Sequence, residues 1–422
     1  MRPETDRVRE RETPFAKNGC LEYNELMAAE YPKIVLKQGE ENRILKGEFW
    51  AYDNEIRTPL APLTAGELVQ LCSADGRYIA TGYVNPASII AFRLLSRDPE
   101  ERIDLNFLTH RIEQADGQRL KIDPANRYYR MVYGEADFLP GLVIDRFGDY
   151  FIVQITAAGM ERFKEEIFAA VTSLHPEAVI VEKSLTTARE KEKLETINRV
   201  VTPGHAPATV IEINDVRFKI DFLKSQKTGF FLDQRENYRL LESISRGATV
   251  LDAFAYAGAW GLHAYRYGAR QVDFLEISAE YLDQARENVR LNGFPPVDFG
   301  YIREDAVRVL KEMSKEGLRK DIVILDPPAF VKARNKLKEA VRGYKEINLR
   351  ALKMVNPGGF LVTCSCSHFL PRDEFIRVIQ DAALDAGRRI KLIAFRFQPY
   401  DHSVLLPLYQ SDYLKCALFY VY

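Results

Sequence analysis

Thr249-Val-Leu-Asp252-Ala-Phe254-Ala-Tyr256-Ala-Gly258-Ala-Trp-Gly261 is the stretch that decides the fold. An apolar β-type run enters a glycine turn, and helical spacing then extends from Ala259 to Tyr267 before Gly268 closes it. A buried strand feeding such a turn and helix places adenosine-bearing ligands at the strand's carboxyl end. Against the dinucleotide fingerprint, Gly258 and Gly261 take the second and third glycine positions, and Tyr256 stands at the first. That argues against pyrophosphate and for a nucleoside ligand without phosphates. The bland alternative is a generic strand–turn–helix with a capping acid. Two more acids weigh against it: Glu276 ends the next strand, suited to ribose hydroxyls, and Asp305 follows the third, suited to an adenine amine.

Downstream, the β-then-α rhythm continues. Gln271–Glu276, Val297–Ile302, Asp321–Leu325 and Gly359–Thr363 read as strands with helices between them, which predicts a parallel sheet covered on both faces. The last runs, Leu392–Phe397 and Tyr413–Tyr420, lack an intervening helix and are expected to pair antiparallel. Asp326-Pro-Pro-Ala-Phe330 ends one strand in a rigid bend that presents Asp326 above the sheet. Leu361-Val-Thr-Cys364-Ser-Cys366-Ser-His368 ends another. A thiolate beside a cofactor is a candidate nucleophile. Period-two spacing puts both cysteines on one face and does not choose between them. The competing readings are small apolar filler and a metal site. A structural zinc needs four ligands and no second Cys/His cluster is visible, so no metal is expected.

A basic run follows the Asp-Pro-Pro bend: Lys332, Arg334, Lys336, Lys338, Arg342 and Lys345. Such a run is usually a solvated helix face; its position here equally suits phosphate contacts. Upstream, Lys224-Ser-Gln-Lys227-Thr-Gly-Phe-Phe231-Leu-Asp233-Gln234-Arg235 reads as a turn into a helix capped by Asp233, with aromatics suited to stacking on a planar ring.

Further out, three regions precede this domain. Residues 1–30 mix charges too densely to build a core and are expected to be a disordered tail, with a short helix at Leu21–Ala29. Tyr31 to Ser96 is β-rich, with a hairpin at Asp75-Gly76 on a primed turn, and predicts a small barrel. Residues 97–210 alternate a helix from Leu105 to Ala115, strands, and an amphipathic helix from Met160 to Val171, an α+β pattern. Pro203, Gly204 and Pro207 mark a linker, and residues 211–422 form the domain described first.

Composition bounds the rest. The 422 residues are 46% apolar and 28% charged, globular values that suit two or three domains. No apolar run is long enough to span a membrane, no secretory signal opens the chain, and five scattered cysteines make no disulfide framework. A cytoplasmic protein is expected. The net charge of −1 means that nucleic-acid binding would have to rest on local patches.

Taken together, Lys227–Arg235, Asp252–Gly258, Asp326–Phe330, Arg342-Gly-Tyr-Lys-Glu-Ile-Asn348 and Ser365-Cys366-Ser367 resemble, in this order, the motifs of the RlmI-type methyltransferases. Gly134-Glu-Ala-Asp137 with Leu139–Phe147 resembles their central domain, and Tyr31–Ser96 their N-terminal PUA domain. The resemblance covers about residues 31–422. It implies an S-adenosylmethionine-dependent enzyme that makes 5-methylcytosine in large-subunit (23S) ribosomal RNA, with a PUA-like barrel, a central α+β domain and a Rossmann-like catalytic domain. It implies a cofactor site of Asp252, Phe254, Tyr256, Gly258, Glu276, Ile277, Asp305, Ala306, Asp326, Phe231, Gln234 and Arg235. It also implies Cys366 as nucleophile and Asp326 on cofactor and base. Ala329 stands where the family commonly has lysine, and His368 where it commonly has glycine. Methylation of a guanine nitrogen, which needs no Cys366, a nicotinamide oxidoreductase, disfavoured by Tyr256, and a non-catalytic RNA-binding protein are the rival readings. A homodimer is left open. The chemistry itself asks for a cysteine whose surroundings favour the thiolate.

Overall fold

The computed structural model describes residues 31–330, 337–406 and 411–422; the tail, the Leu21–Ala29 helix, Lys332, Arg334 and Lys336 lie outside them. The first sheet contains β1 (Lys33–Val35), β2 (Trp50–Tyr52), β3 (Glu67–Cys72), β4 (Tyr78–Val84) and β5 (Ile90–Ser96), in the order β1-β3-β4-β5-β2. Ile34, Leu71, Val84 and Phe92 fill its core. The hairpin at Asp75-Gly76 forms, but on a longer turn than expected. Only Gly76 has positive φ, and Ser73 N–H closes the loop on the carbonyl of Arg77 at 2.9 Å. The Ser73 hydroxyl, bonded to Asp75, takes over the role of a second left-handed residue.

The second sheet has the order β10-β9-β8-β7-β6, from β6 (Tyr128–Tyr133), β7 (Leu142–Phe147), β8 (Tyr150–Ile155), β9 (Val179–Ser184) and β10 (Ile197–Val200). Helices Leu105–Ile122 and Lys164–Leu174 pack against each other beside it. The first outlasts its expected end at Ala115, because Arg119 pairs with Asp137 in the interior. The second begins late, since the chain breaks at Phe163 between two helical segments. Sheets one and two are locked together. Tyr83 donates to the Pro140 carbonyl at 2.8 Å, and its ring lies so close to Gly159 that any Cβ there would sit 2.1 Å from it. Glu192 receives Asn85, Ser88 and Arg93 in the same buried seam.

A hairpin of β11 (Ala208–Ile213) and β12 (Val216–Asp221) leads to the third sheet, and β11 runs through residues 210 and 211 without a break. That sheet contains β13 (Thr249–Ala253), β14 (Gln271–Glu276), β15 (Phe299–Arg303), β16 (Lys320–Leu325), β17 (Val355–Ser365), β18 (Ile390–Arg396) and β19 (Lys415–Val421). Its order is β15-β14-β13-β16-β17-β19-β18, parallel as far as β17 and antiparallel beyond. Leu251, Val323, Leu325 and Leu361 pack one face; Val250, Phe274, Ile324 and Val362 pack the other. Both faces are dry, as a parallel sheet requires. The order reverses between β13 and β16, which opens a crevice at their carboxyl ends.

Candidate active site

The turn after β13 is built from residues in unusual conformations. Phe254 and Tyr256 have φ of 64° and 49°, and Gly258 has 83°. Left-handed geometry at two aromatic residues costs roughly 1–2 kcal/mol each and needs support. It comes from β14: the N–H groups of Phe254 and Ala255 donate to the Leu275 carbonyl at 2.9 and 3.1 Å. Tyr256 N–H donates to Glu276 Oε2 at 3.0 Å, and Ser278 N–H to Oε1 at 3.0 Å. Glu276 is thereby aimed by backbone donors and keeps lone pairs for hydroxyl groups. Beside it, Ile277 is 65% exposed, an apolar surface next to a carboxylate. Asp305 is exposed and caps the helix Ala306–Lys315, accepting from Arg308 N–H at 2.8 Å; Ala306 behind it is buried.

Asp252 differs from the other two acids. It is fully buried, and Oδ2 accepts from Gly261 N–H at 2.9 Å while Oδ1 has no hydrogen-bond partner. Burial pushes its carboxyl well above the usual range. It shapes the turn from beneath.

The segment from Lys224 to Arg235 covers this turn. Gln226 N–H donates to the Tyr256 hydroxyl at 3.2 Å, and the Phe231 ring meets that of Tyr256 edge-on at 5.2 Å. Instead of capping a helix, Asp233 lies inside the 3-10 turn Leu232–Gln234 and accepts from the Tyr413 hydroxyl at 2.7 Å. Three residues at the turn allow no full helix to form behind it. Arg235 faces away from the cofactor side, toward Asp401 at 2.5 Å and the Tyr128 carbonyl at 3.2 Å. The central sheet pins the segment: Lys183 Nζ donates to the carbonyls of Phe222 and Ser225, and Thr228 donates to Asp145 at 2.5 Å.

β16 and β17 pair in parallel with Leu325 opposite Thr363, which sets Asp326 level with Cys364; Cys366 follows two residues on, close enough for Asp326 to bear on its thiol. Asp326 Oδ2 accepts from Trp260 Nε1 at 2.9 Å and Gln234 Nε2 at 3.0 Å, and Asn237 fixes Gln234 in turn at 2.8 Å. Burial raises this carboxyl to about 6; the Trp260 and Gln234 bonds and Lys227 hold it down, while Asp233 raises it further. Cys364 is fully buried, opposite Cys416 in the ladder with β19, and its thiol is pushed well up by burial. Cys366, one residue past the strand, is half-buried and reachable. Its thiol is raised to about 11, chiefly by burial; Asp326 and Asp233 act in the same direction and Lys227 against it. The surroundings thus hold Cys366 as a thiol, the reverse of the expected bias, because burial outweighs Lys227 and two carboxylates add to it.

A cavity of about 600 Å³ adjoins this corner, lined among others by Arg130 and Lys183 of the central sheet and by Lys227, Asp233, His368 and Tyr413. The basic run divides. Lys338 and Arg342 are exposed on the helix Leu337–Met354, whereas Lys345 pairs with Asp385 at 2.8 Å. Trp260, which holds Asp326, and Lys415, whose Nζ donates to the Ser367 carbonyl at 2.7 Å beside Cys366, are residues of this corner that sequence reading missed. The only available signal for Trp260 was an indole N–H one residue after a strand–turn–helix opening. Lys415 carried none.

Carboxylates at successive strand ends, outnumbering the cations near them, suit a positively charged nucleoside better than a diphosphate; this donor set fits S-adenosylmethionine. Residues 34–97 match the PUA-like domain family, and residues 193–386 the S-adenosylmethionine-dependent methyltransferase family. The ribosomal RNA large subunit methyltransferase I of Klebsiella pneumoniae (strain 342) is 34% identical over 389 residues, 91% of this chain and 97% of that protein. Its namesake from Salmonella gallinarum is 35% identical over 390 residues, 92% and 96%. A crystal structure of a candidate methyltransferase complexed with SAH shares the fold, with a TM-score of 0.79 at 18% identity, covering 92% of this chain and 100% of that one. With identity sustained across nine-tenths of its length, the chain belongs to the ribosomal RNA large subunit methyltransferase I family.

Proposed function

We propose that this protein transfers a methyl group from S-adenosylmethionine to carbon 5 of a cytosine in large-subunit ribosomal RNA, through a covalent bond to Cys366. One observation carries the reading: a reachable cysteine just past β17 stands beside a carboxylate ending β16, next to a nucleoside crevice. Residues 31–96 act as an RNA-binding PUA-like module, the segment from 97 to the β11–β12 hairpin as the central module and the rest of the chain, from that hairpin on, as the catalytic one.

Carbon 5 of cytosine is too weak a nucleophile to take a methyl group unaided. A bond from Cys366 sulfur to carbon 6 moves electron density onto carbon 5. Asp326, held by Trp260 and Gln234, hydrogen-bonds the ring nitrogen and amine and steadies the adduct. Glu276 and Asp305 orient the ribose and adenine of the cofactor, and Tyr256 and Phe231 wall its site. When bound, S-adenosylmethionine supplies the electrophilic methyl group. Loss of the carbon 5 proton then releases Cys366. A paired target base has to leave its stack to reach the thiol.

The test is transfer of labelled methyl to ribosomal RNA, followed by nucleoside analysis. 5-Methylcytosine is expected; a label on a guanine nitrogen, or none, would overturn the proposal.

A further inference from the structure

Lys415 opens β19, with its Cα opposite that of Ser365 in the ladder with β17. Its side chain is 3% exposed. Nζ donates to the carbonyl of Ser367 at 2.7 Å and to that of Tyr413 at 2.9 Å. The lysine therefore brackets Cys366: its backbone faces the residue before, and its ammonium holds the residue after. Among the described residues no carboxylate oxygen lies within 4.0 Å of Nζ. A buried cation whose direct partners are carbonyls, with Asp412 as its nearest acidic influence and no carboxylate in contact, is left under-compensated, which is costly.

The groups that bear on Cys366 are Lys227 from the covering segment, Asp326 from the end of β16 and Asp233 from the Leu232–Gln234 turn. Lys227 has a half-exposed side chain drawn toward Phe231 and Asp233, so it is a weak counterweight to two carboxylates. Those bearing on Lys415 are Asp412 and Cys366 itself. Burial lowers its ammonium to about 8, and a negative charge on Cys366 works the other way. Such coupling is reciprocal: what the thiolate does for the ammonium, the ammonium does for the thiolate.

We infer that Lys415 is a positioning residue for Cys366, fixing the Ser365–Ser367 loop and serving as counter-charge to the thiolate. The inference rests on reading Cys366 as the nucleophile. While the site is open the thiol gives its proton to water, and the thiolate stays paired with the ammonium. Its lone pair forms the sulfur–carbon 6 bond, and the displaced π pair forms the new bond from carbon 5 to the methyl group, whose bond to the donor's sulfonium sulfur breaks with the pair left on that sulfur. As carbon 5 gives its proton to water, the C–H pair restores the double bond and the thiolate returns beside Lys415.

The test needs no RNA. Iodoacetamide alkylation of Cys366 in the full chain, followed by peptide mass spectrometry from pH 6.5 to 10, reads the thiolate fraction below the midpoint of about 11. Lys415→Met should move the profile up by about one unit and slow alkylation at pH 8 roughly tenfold. Lys415→Arg should keep the wild-type profile. A Met variant with the wild-type profile, or an Arg variant that behaves like Met, would overturn the inference. Should Lys415→Met not fold, Lys415→Gln gives the same reading: it too should slow alkylation at pH 8 roughly tenfold, and a wild-type rate refutes the pairing. Methyl transfer by Cys366→Ala, assayed in parallel, reports on the nucleophile reading alone.

Discussion

The two halves of the crevice are built by different means. On the β13–β15 side, each acid is aimed by backbone N–H groups within a few residues of a strand end: Gly261 for Asp252, Tyr256 and Ser278 for Glu276, Arg308 for Asp305. On the β16–β17 side, Asp326 is held by side chains 66 and 92 residues away, and the Cys366 loop by Lys415, 48 residues on. Local hydrogen bonds make a site that holds its shape as the chain varies. Long-range side-chain contacts make one that depends on the whole domain, and there charge, not geometry, is adjusted.

The largest effect should come from the second half. Cys366→Ala is expected to lower methyl transfer more than about 1,000-fold with cofactor affinity nearly unchanged by calorimetry, because a covalent step has no substitute. RNA carrying 5-fluorocytosine should trap the wild-type adduct; trapping at Cys364 would erase the distinction between the two cysteines. In the first half, Glu276→Ala should weaken cofactor binding by about 1–3 kcal/mol, the cost of leaving hydroxyl partners unpaired. Unchanged affinity would break the contrast.

Asp326 sharpens it through pH. Its folded carboxyl is raised from the usual 3.8 to about 6. Between those values the folded state binds the proton and the unfolded state does not, so ionisation subtracts stability as pH rises through this window. Asp326→Asn is expected to raise the melting temperature at pH 7.5 and to do so less at pH 4.5, while methyl transfer falls. In the native enzyme, transfer should decline as pH drops through about 6. Equal stabilisation at both pH values would show that Asp326 is not held against its charge. The smallest effect belongs to the periphery: neutralising Lys338 and Arg342 together should reduce the salt slope of RNA binding by about 1.4, at ~0.7 per single-strand phosphate. A slope that does not move makes them a solvated face.

The same division explains what the sequence disclosed. The strand–turn–helix at Thr249–Gly261, the acids ending β14 and following β15, and the antiparallel finish are legible because hydrophobic period and turn chemistry are local. Asp233 lies inside a turn and does not cap a helix, and spacing could not show it because its partner, Tyr413, lies 180 residues away. Spacing was equally silent on Cys364 against Cys366. The choice depends on where β17 stops, and β17 stops where its pairing with β19 ends at Ser365.

That pairing has a consequence for biosynthesis. β19 inserts between β17 and β18, both of which are made before it, and β18 pairs only with β19. On the ribosome the sheet therefore waits with an open slot until its latest strand arrives. Closing the slot delivers Lys415 to the Ser367 carbonyl in the same event. The Ser365–Ser367 loop is thus completed only once β19 has been made, after the β13–β15 side has all its residues, so the two halves of the crevice are finished one after the other during synthesis.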